Sequence, residues 1–500
     1  MTNESTAGVA DLFEAVLHGA EDTVVRLLRA GVSAEAANED GETVLYAAAL
    51  SDEPCVVRLL LAAGADPERA SGRDGGDLSL CGAACSGHTE VVRALLAAGA
   101  LPDSREAFGF TALAWAVTQG FPDTVEALLE YGADPVLPGP GGEPPLLLAA
   151  RRGSTATVRV LLRYGAGGHD AALAEARRWM ALDVEQELRD GLLAAHGDGY
   201  ETVVRRIEAD GSVTVAVELL RDGEPMAGRE QDTGHAAVAT ILEAELGIAT
   251  PYEELAGRAL RCGVPGRDDW TESVAALWRR GDEETFRAAA AWCASGEPPR
   301  QAFAADVLAR LGAVDGDGAG PFTARVVPLL RELSRRATDP ALVRAVVGAL
   351  GQHGDPAALP EILRHTGHPD AGVRRRAALA LTGLVPGDHR DAVWALVLLS
   401  RDADASVRGR AVTALASVAA NTQPLREALA SRLTEPDAAT AAEAARALAA
   451  RQDRRAVAAL ARILDEEPGG YARATAVDAV RFVPEGPERR RLERTLPRRR

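Results

Sequence analysis

A glycine that returns about every 33 residues constrains this chain more than any other feature. A Gly-Ala or Gly-Val pair closes an apolar stretch at Gly31, Gly64, Gly99, Gly132 and Gly165, in steps of 33, 35, 33 and 33 residues. The clearest unit is 109–135, GFTALAWAVTQGFPDTVEALLEYGADP. There Thr111 caps a first helix and Gly120 breaks it; Pro122 and Asp123 open a second, which carries Leu128 and Leu129 until Gly132 ends it. One such pair cannot bury both of its apolar faces, so it needs copies stacked on either side. The copies begin GETVLYAAA at Gly41, GDLSLCGAA at Gly76 and GEPPLLLAA at Gly142, and the two extra residues of the 35-step fit the Gly-rich loop at 71–77.

In spacing and in these starts, the first 168 residues resemble the ankyrin repeat, whose period is about 33 and whose units open on Thr-Pro-Leu-His-x-Ala. Val44, Ala112 and Tyr46 stand where that family has Pro and His, and Pro145 keeps the proline. About five units are expected over 1–168, the first (11–40) being atypical because one of its faces meets solvent. The resemblance implies protein binding through turn tips and the exposed positions of each first helix. Carried onto this sequence, the tips hold Arg105, Phe108 and Phe110, and the exposed positions include Leu50, Ser51, Trp115, Thr118, Gln119, Arg151 and Arg152. Aromatic residues and Arg dominate interface hot spots, and three aromatics fall between 108 and 115 in a chain that is only 4% aromatic.

From His169 the period vanishes. Leu173, Met180, Val184, Leu188 and Leu192 predict one long amphipathic helix over 170–194, able to cap the last unit. Val213, Val215, Val217 and Leu219 then alternate with polar or small residues between Asp210-Gly211 and Asp222-Gly223, predicting a three-stranded meander over 201–231. Helices follow at 234–247, after Pro251 with Thr250 as cap, and around Trp270–Arg280, so 169–280 reads as a small α+β module.

A second period runs from 283 to 483, with helix pairs at 283–312, 322–351, 356–385, 389–419, 424–450 and 455–483. Leu350, Leu381, Leu415, Leu448 and Val480 step by 31, 34, 33 and 32, and an Asp-x-x-Val-Arg start recurs at Asp370 and Asp404. This stretch resembles HEAT repeats, in particular the short bacterial type also found in phycobilin lyase families. The expected fold is therefore mostly α: an ankyrin-repeat solenoid, a small α+β module, then a HEAT-like α-solenoid, with an Arg-rich tail at 484–500.

Bulk properties narrow the function. All 55 basic residues are Arg, which with heavy Ala and Gly usage points to GC-rich bacterial coding. The net charge is −18, and residues 1–168 carry 23 acidic against 11 basic groups, whereas 281–500 carry 28 against 32. The acidic front disfavours nucleic acid and anionic membranes. Five scattered cysteines fit a reducing compartment, and the start MTNESTAGVADLF has neither the basic end nor the apolar core of a signal peptide. With no apolar run of membrane-spanning length, a cytoplasmic protein is expected.

Candidate chemical sites read better as structure. Cys81 and Cys85 occupy repeat slots without a second ligand pair; Asp315–Gly320 imitates a calcium loop but has Ala319 and Val326 at ligand positions. His353, His365 and His368 cluster near one turn without sharing a helical face, and His88 is expected to make a local hydrogen bond. Arg344, Arg374 and Arg408, with Asp370 and Asp404, are expected to pair between neighbouring repeats. No catalytic motif, metal site or cofactor site emerges, so the leading expectation is a non-catalytic scaffold for protein partners. Two alternatives stand beside it. One is an enzyme-associated or lyase-like protein, which a deep pocket lined by His235, Asp232 and Glu243 would favour. The other is nucleic-acid binding by the C-terminal array, with help from Arg489–Arg491 and Arg498–Arg500.

Overall fold

The computed structural model describes residues 2–73, 75–209, 211–311 and 320–495. Among these, 28 α-helices and one three-stranded sheet form two compact units: residues 1–251 with 264–273, and residues 252–263 with 274–500. The loop resembling a calcium site and the last three arginines lie outside the described residues, except for Gly320.

The first unit stacks five helix pairs: α1 (Thr2–Leu17) with α2 (Glu21–Arg29), α3 (Val44–Leu50) with α4 (Pro54–Ala62), and α5 (Ser79–Ser86) with α6 (Thr89–Ala97). Then come α7 (Ala112–Gln119) with α8 (Pro122–Glu130), and α9 (Pro145–Arg152) with α10 (Thr155–Arg163). Thr43 and Thr111 cap α3 and α7 by accepting the amides of Tyr46 and Ala114 at 3.2 and 3.1 Å. The periodic glycines take φ between +81° and +99°, a left-handed turn that costs glycine nothing and that ends each second helix. Between pairs the chain makes short hairpin tips, and these tips are tied to one another. The amide of Gly72 donates to the carbonyl of Gly41 at 3.0 Å, and that of Ala107 to Gly76 at 2.9 Å. His88 makes a structural hydrogen bond, but not the local one expected: its Nδ1 lies 3.0 Å from the Ala49 carbonyl in the preceding repeat.

The helix expected over 170–194 is two helices, α11 (His169–Met180) and α12 (Val184–His196). Asp183 divides them, its carboxylate accepting the amide of Gln186 at 3.2 Å. The 3.6-residue pattern runs through the break because both segments are amphipathic, so periodicity alone hides it. The two also pack differently: α11 lies beside α9 as the next first helix of the stack. Helix α12 instead covers a sheet of β1 (Glu201–Ala209), β2 (Ser212–Arg221) and β3 (Glu224–Asp232), where Leu188 and Leu192 meet Val215, Val217 and Leu219. The sheet is an antiparallel meander in the order β1-β2-β3, and Asp222 and Gly223 both have positive φ, the hairpin-turn geometry an Asp-Gly pair favours. Helix α13 (His235–Glu245) then returns to pack on α11, and its Val238, Ala239 and Leu242 join the core of the repeat stack. Helices α11 and α13 therefore act as a closing pair, with α12 and the meander inserted between them.

The second unit opens with α14 (Tyr252–Cys262) and takes the later turns of α15 (Asp268–Arg280). Six pairs follow. They are α16 (Glu283–Cys293) with α17 (Pro298–Leu308), α18 (Thr323–Arg336) with α19 (Pro340–His353), and α20 (Leu359–Arg364) with α21 (Ala371–Ala380). After these come α22 (Arg390–Leu399) with α23 (Ala405–Ser417), α24 (Gln423–Ala430) with α25 (Ala438–Ala450), and α26 (Arg455–Glu466) with α27 (Gly470–Ala479). Asp339, Asp370, Asp404 and Asp437 each cap the second helix of a pair. Those second helices, rich in Ala and Gly, pack against one another more closely than the first helices do, so they line the concave side of the array. Within the Arg-rich tail, α28 (Pro487–Glu493) packs on α26 and buries Leu492.

Candidate protein-interaction surface

In the first unit, α3, α5 and α7 are the closely packed inner helices, and a mixed apolar and acidic patch forms where they meet the hairpin tips. Tyr46 and Leu50 lie one turn apart on α3 and lean over Gly82 of α5. A Cβ at Gly82 would fall 3.0 Å from Tyr46 Cε2 and 3.1 Å from Leu50 Cδ2, so glycine lets these two side chains lie close against α5. On the next repeat, Phe110 and Trp115 stack with ring centroids 4.0 Å apart, and the Trp115 indole N–H donates to Glu106 at 2.7 Å. Burial lifts the Glu106 carboxyl above its usual range. Burial, together with Asp77, Glu106 and Glu42, pushes the Tyr46 hydroxyl up to about 12. The side chains that remain open are Leu50, 40% exposed, and Phe108 at the tip, 73% exposed.

The other expected contact residues divide by environment. Arg105 spans two tips, donating to the carbonyls of Gly109 at 2.7 Å and Pro138 at 2.6 Å. Thr118 returns its hydroxyl to the Ala114 carbonyl at 2.8 Å, and Gln119 donates to the Cys85 thiol at 3.8 Å. Arg151 is held between Glu143 at 2.6 Å and Glu175 at 3.0 Å. Arg152, expected at an exposed position, is buried: its guanidinium pairs with Glu230 at 2.7 Å and lies 3.5 Å from Asp232. The inserted β3 covers that end of the stack, which a repeat register counted along the chain cannot reveal. Phe110 and Trp115 are half-buried against the core. Trp115→Ala is therefore expected to lower stability by about 2 kcal/mol through lost packing and stacking; a melting temperature equal to the parent's would place Trp115 outside the core. Tyr46 and Glu106 are surface residues that the sequence reading does not name as such, and buried Gly82 lies beneath the first of them. The available signal was Tyr46 and Leu50 at i, i+4 with a glycine in the following first helix.

The remaining candidates serve structure. His235, Asp232 and Glu243 are buried, but each is engaged. His235 stacks on Trp179 and meets the Arg151 carbonyl at 3.1 Å, and burial pushes it down to about 4. Asp232 accepts from Thr214 at 2.6 Å, and Glu243 takes Arg177 at 2.9 Å and Thr250 at 2.6 Å. His353 ties Leu308 to Thr323, His365 meets Ser334, and His368 accepts the Asp370 amide. Cys81 is buried and its thiol is raised by that burial. Among the described residues, no group of three or more His, Cys, Asp or Glu is placed to hold a metal ion, and no helix is long and apolar enough to cross a membrane. The arginine ladder pairs across repeats as expected. Arg344 reaches Asp370, whereas Arg374 reaches Asp402 and Arg408 reaches Glu435, leaving Asp404 to cap its own helix.

Stacked helix pairs, preceding and following a small sheet along the chain, define an α-solenoid protein. Residues 12–105, 53–139 and 80–172 match the family model of ankyrin repeats, and residues 291–383 and 392–481 match that of HEAT repeats. The chain thus joins an ankyrin-repeat array to HEAT repeats. No curated protein matches it in sequence.

Proposed function

We propose that the protein is a non-catalytic scaffold that holds partner proteins on the concave faces of its repeats. Both repeat types typically serve as protein-interaction scaffolds. The observation that carries the reading is half-exposed Leu50 beside Tyr46, with Asp77 and Glu106 close to the Tyr46 hydroxyl and Phe108 open at a neighbouring tip. The arrangement sets exposed apolar side chains against carboxylates that no arginine neutralises in the described structure. Such a surface suits a partner segment bearing an aliphatic anchor and a neighbouring cation. The polar groups singled out for an enzyme reading are each engaged by the protein itself: His235 by the Arg151 carbonyl, Asp232 by Thr214 and Arg152, and Glu243 by Arg177 and Thr250.

Leu50→Ser with Phe108→Ser is the direct test. A synthetic peptide alternating Leu and Arg is expected to bind the parent chain in a titration and to lose at least about tenfold in affinity to the variant. Both side chains are exposed, so the helical melting transition is expected to stay where it is. Equal affinity of the two chains would defeat the assignment of this surface.

A further inference from the structure

The inner helices of the HEAT array carry an unexplained excess of positive charge. Helices α19, α21 and α23 contain Arg344, Arg374, Arg375, Arg376, Arg408 and Arg410 and not one Asp or Glu, in a chain whose net charge is −18. Arg344, Arg374 and Arg408 are matched by Asp370, Asp402 and Glu435. Arg375, Arg376 and Arg410 are exposed and make no ion pair among the described residues. Their positions follow the repeat: Arg376 and Arg410 both stand six residues after the capping aspartates, Asp370 and Asp404. Arg376 crosses towards the preceding repeat, its Nε lying 3.1 Å from where a Cβ of Gly348 would stand. Leu379, 40% exposed, sits one turn beyond Arg375 on the same helix. At α25 the strip ends, because Glu443 occupies the place equivalent to Arg410 and is engaged by Arg446 at 2.8 Å.

We propose that this face binds an extended acidic polypeptide segment of a partner protein, with a carboxylate at about every third residue. The spacing follows from the repeat. Packed helices lie about 8–10 Å apart, and an extended chain advances about 3.3 Å per residue, so one repeat matches about three residues of ligand. Charge complementarity selects an anion, and the composition of the strip selects peptide over nucleic acid. Helices α19, α21 and α23 contain no aromatic residue, whereas single-stranded nucleic acid is held largely by stacking on aromatic side chains. A chain carrying −18 overall also repels a dense polyanion more than a sparsely charged peptide.

The experiment uses the full chain and a fluorescein-labelled peptide with Glu at every third position and Ala or Ser between. Fluorescence anisotropy is expected to show saturable binding that weakens with salt. Arg375→Glu, Arg376→Glu and Arg410→Glu together are expected to weaken it by at least about tenfold; the milder Gln variants at the same three positions, whose helical circular dichroism checks the fold, are expected to weaken it in the same direction. No binding at low salt, unchanged affinity in the Gln variants, or tighter binding of a single-stranded oligonucleotide of matching length would each overturn the proposal. The Leu50→Ser and Phe108→Ser chain is expected to bind this peptide as the parent does, so failure here leaves the ankyrin-surface reading standing.

Discussion

Arg152→Ala is expected to destabilise the closing end of the ankyrin array by about 3 kcal/mol, because it removes one partner of a buried ion pair and strands the other. The Arg152 side chain is only 8% exposed and joins α9 to β3 through both the carbonyl and the carboxylate of Glu230, with Asp232 beside it. Asp232 is 11% exposed, and burial already lifts its carboxyl above the usual range despite Arg152 and Thr214. Without the arginine its charged form is disfavoured further. An acid whose folded-state pKa is raised is best tolerated when protonated, so the deficit of the variant is expected to shrink as the pH is lowered from neutral. Repeat arrays do not unfold as one body, so the measurement is amide hydrogen exchange on α9, α11 and β3, with an acceleration of about 100-fold at neutral pH. Adding Asp232→Asn is expected to recover part of the loss, since Thr214 can still donate to the amide oxygen. A single variant with unaltered exchange, or one that worsens in acid, would remove the buried-pair account.

Gly351→Ala reverses the ordinary rule for helices. In an open helix interior the change adds up to about 1 kcal/mol of stability. At this site a Cβ would fall 2.5 Å from the Ala380 Cβ and 2.7 Å from its Cα, contacts that only separation of α19 from α21 can relieve. Overpacking of this kind costs about 1–3 kcal/mol, so a net loss of about 2 kcal/mol is expected, read as about 30-fold faster exchange confined to those two helices and their neighbours. Gly257 supplies the contrast. It lies inside α14 with nothing within 4 Å of a Cβ, and Gly257→Ala is expected to stabilise. If both variants move the same way, helix propensity and not close approach governs Gly351.

The sequence by itself determined the two arrays, their registers and the meander, because each rests on local chemistry that repeats: a left-handed glycine after each ankyrin pair, aspartate caps on the HEAT second helices, an Asp-Gly turn. It also placed Phe108 at an open tip. Tertiary structure decided the rest. Whether a residue on a first helix faces solvent depends on what the chain brings back later, and Arg152 is covered by β3, whose Glu230 lies 78 residues further on in the sequence. Which arginines of the ladder remain charged towards solvent depends on which carboxylate the next repeat offers, so Arg374 and Arg408 are neutralised while their neighbours Arg375, Arg376 and Arg410 are not. Helix capping and turn conformation are set by residues a few positions apart; burial and ion pairing are set by partners that only folding brings together.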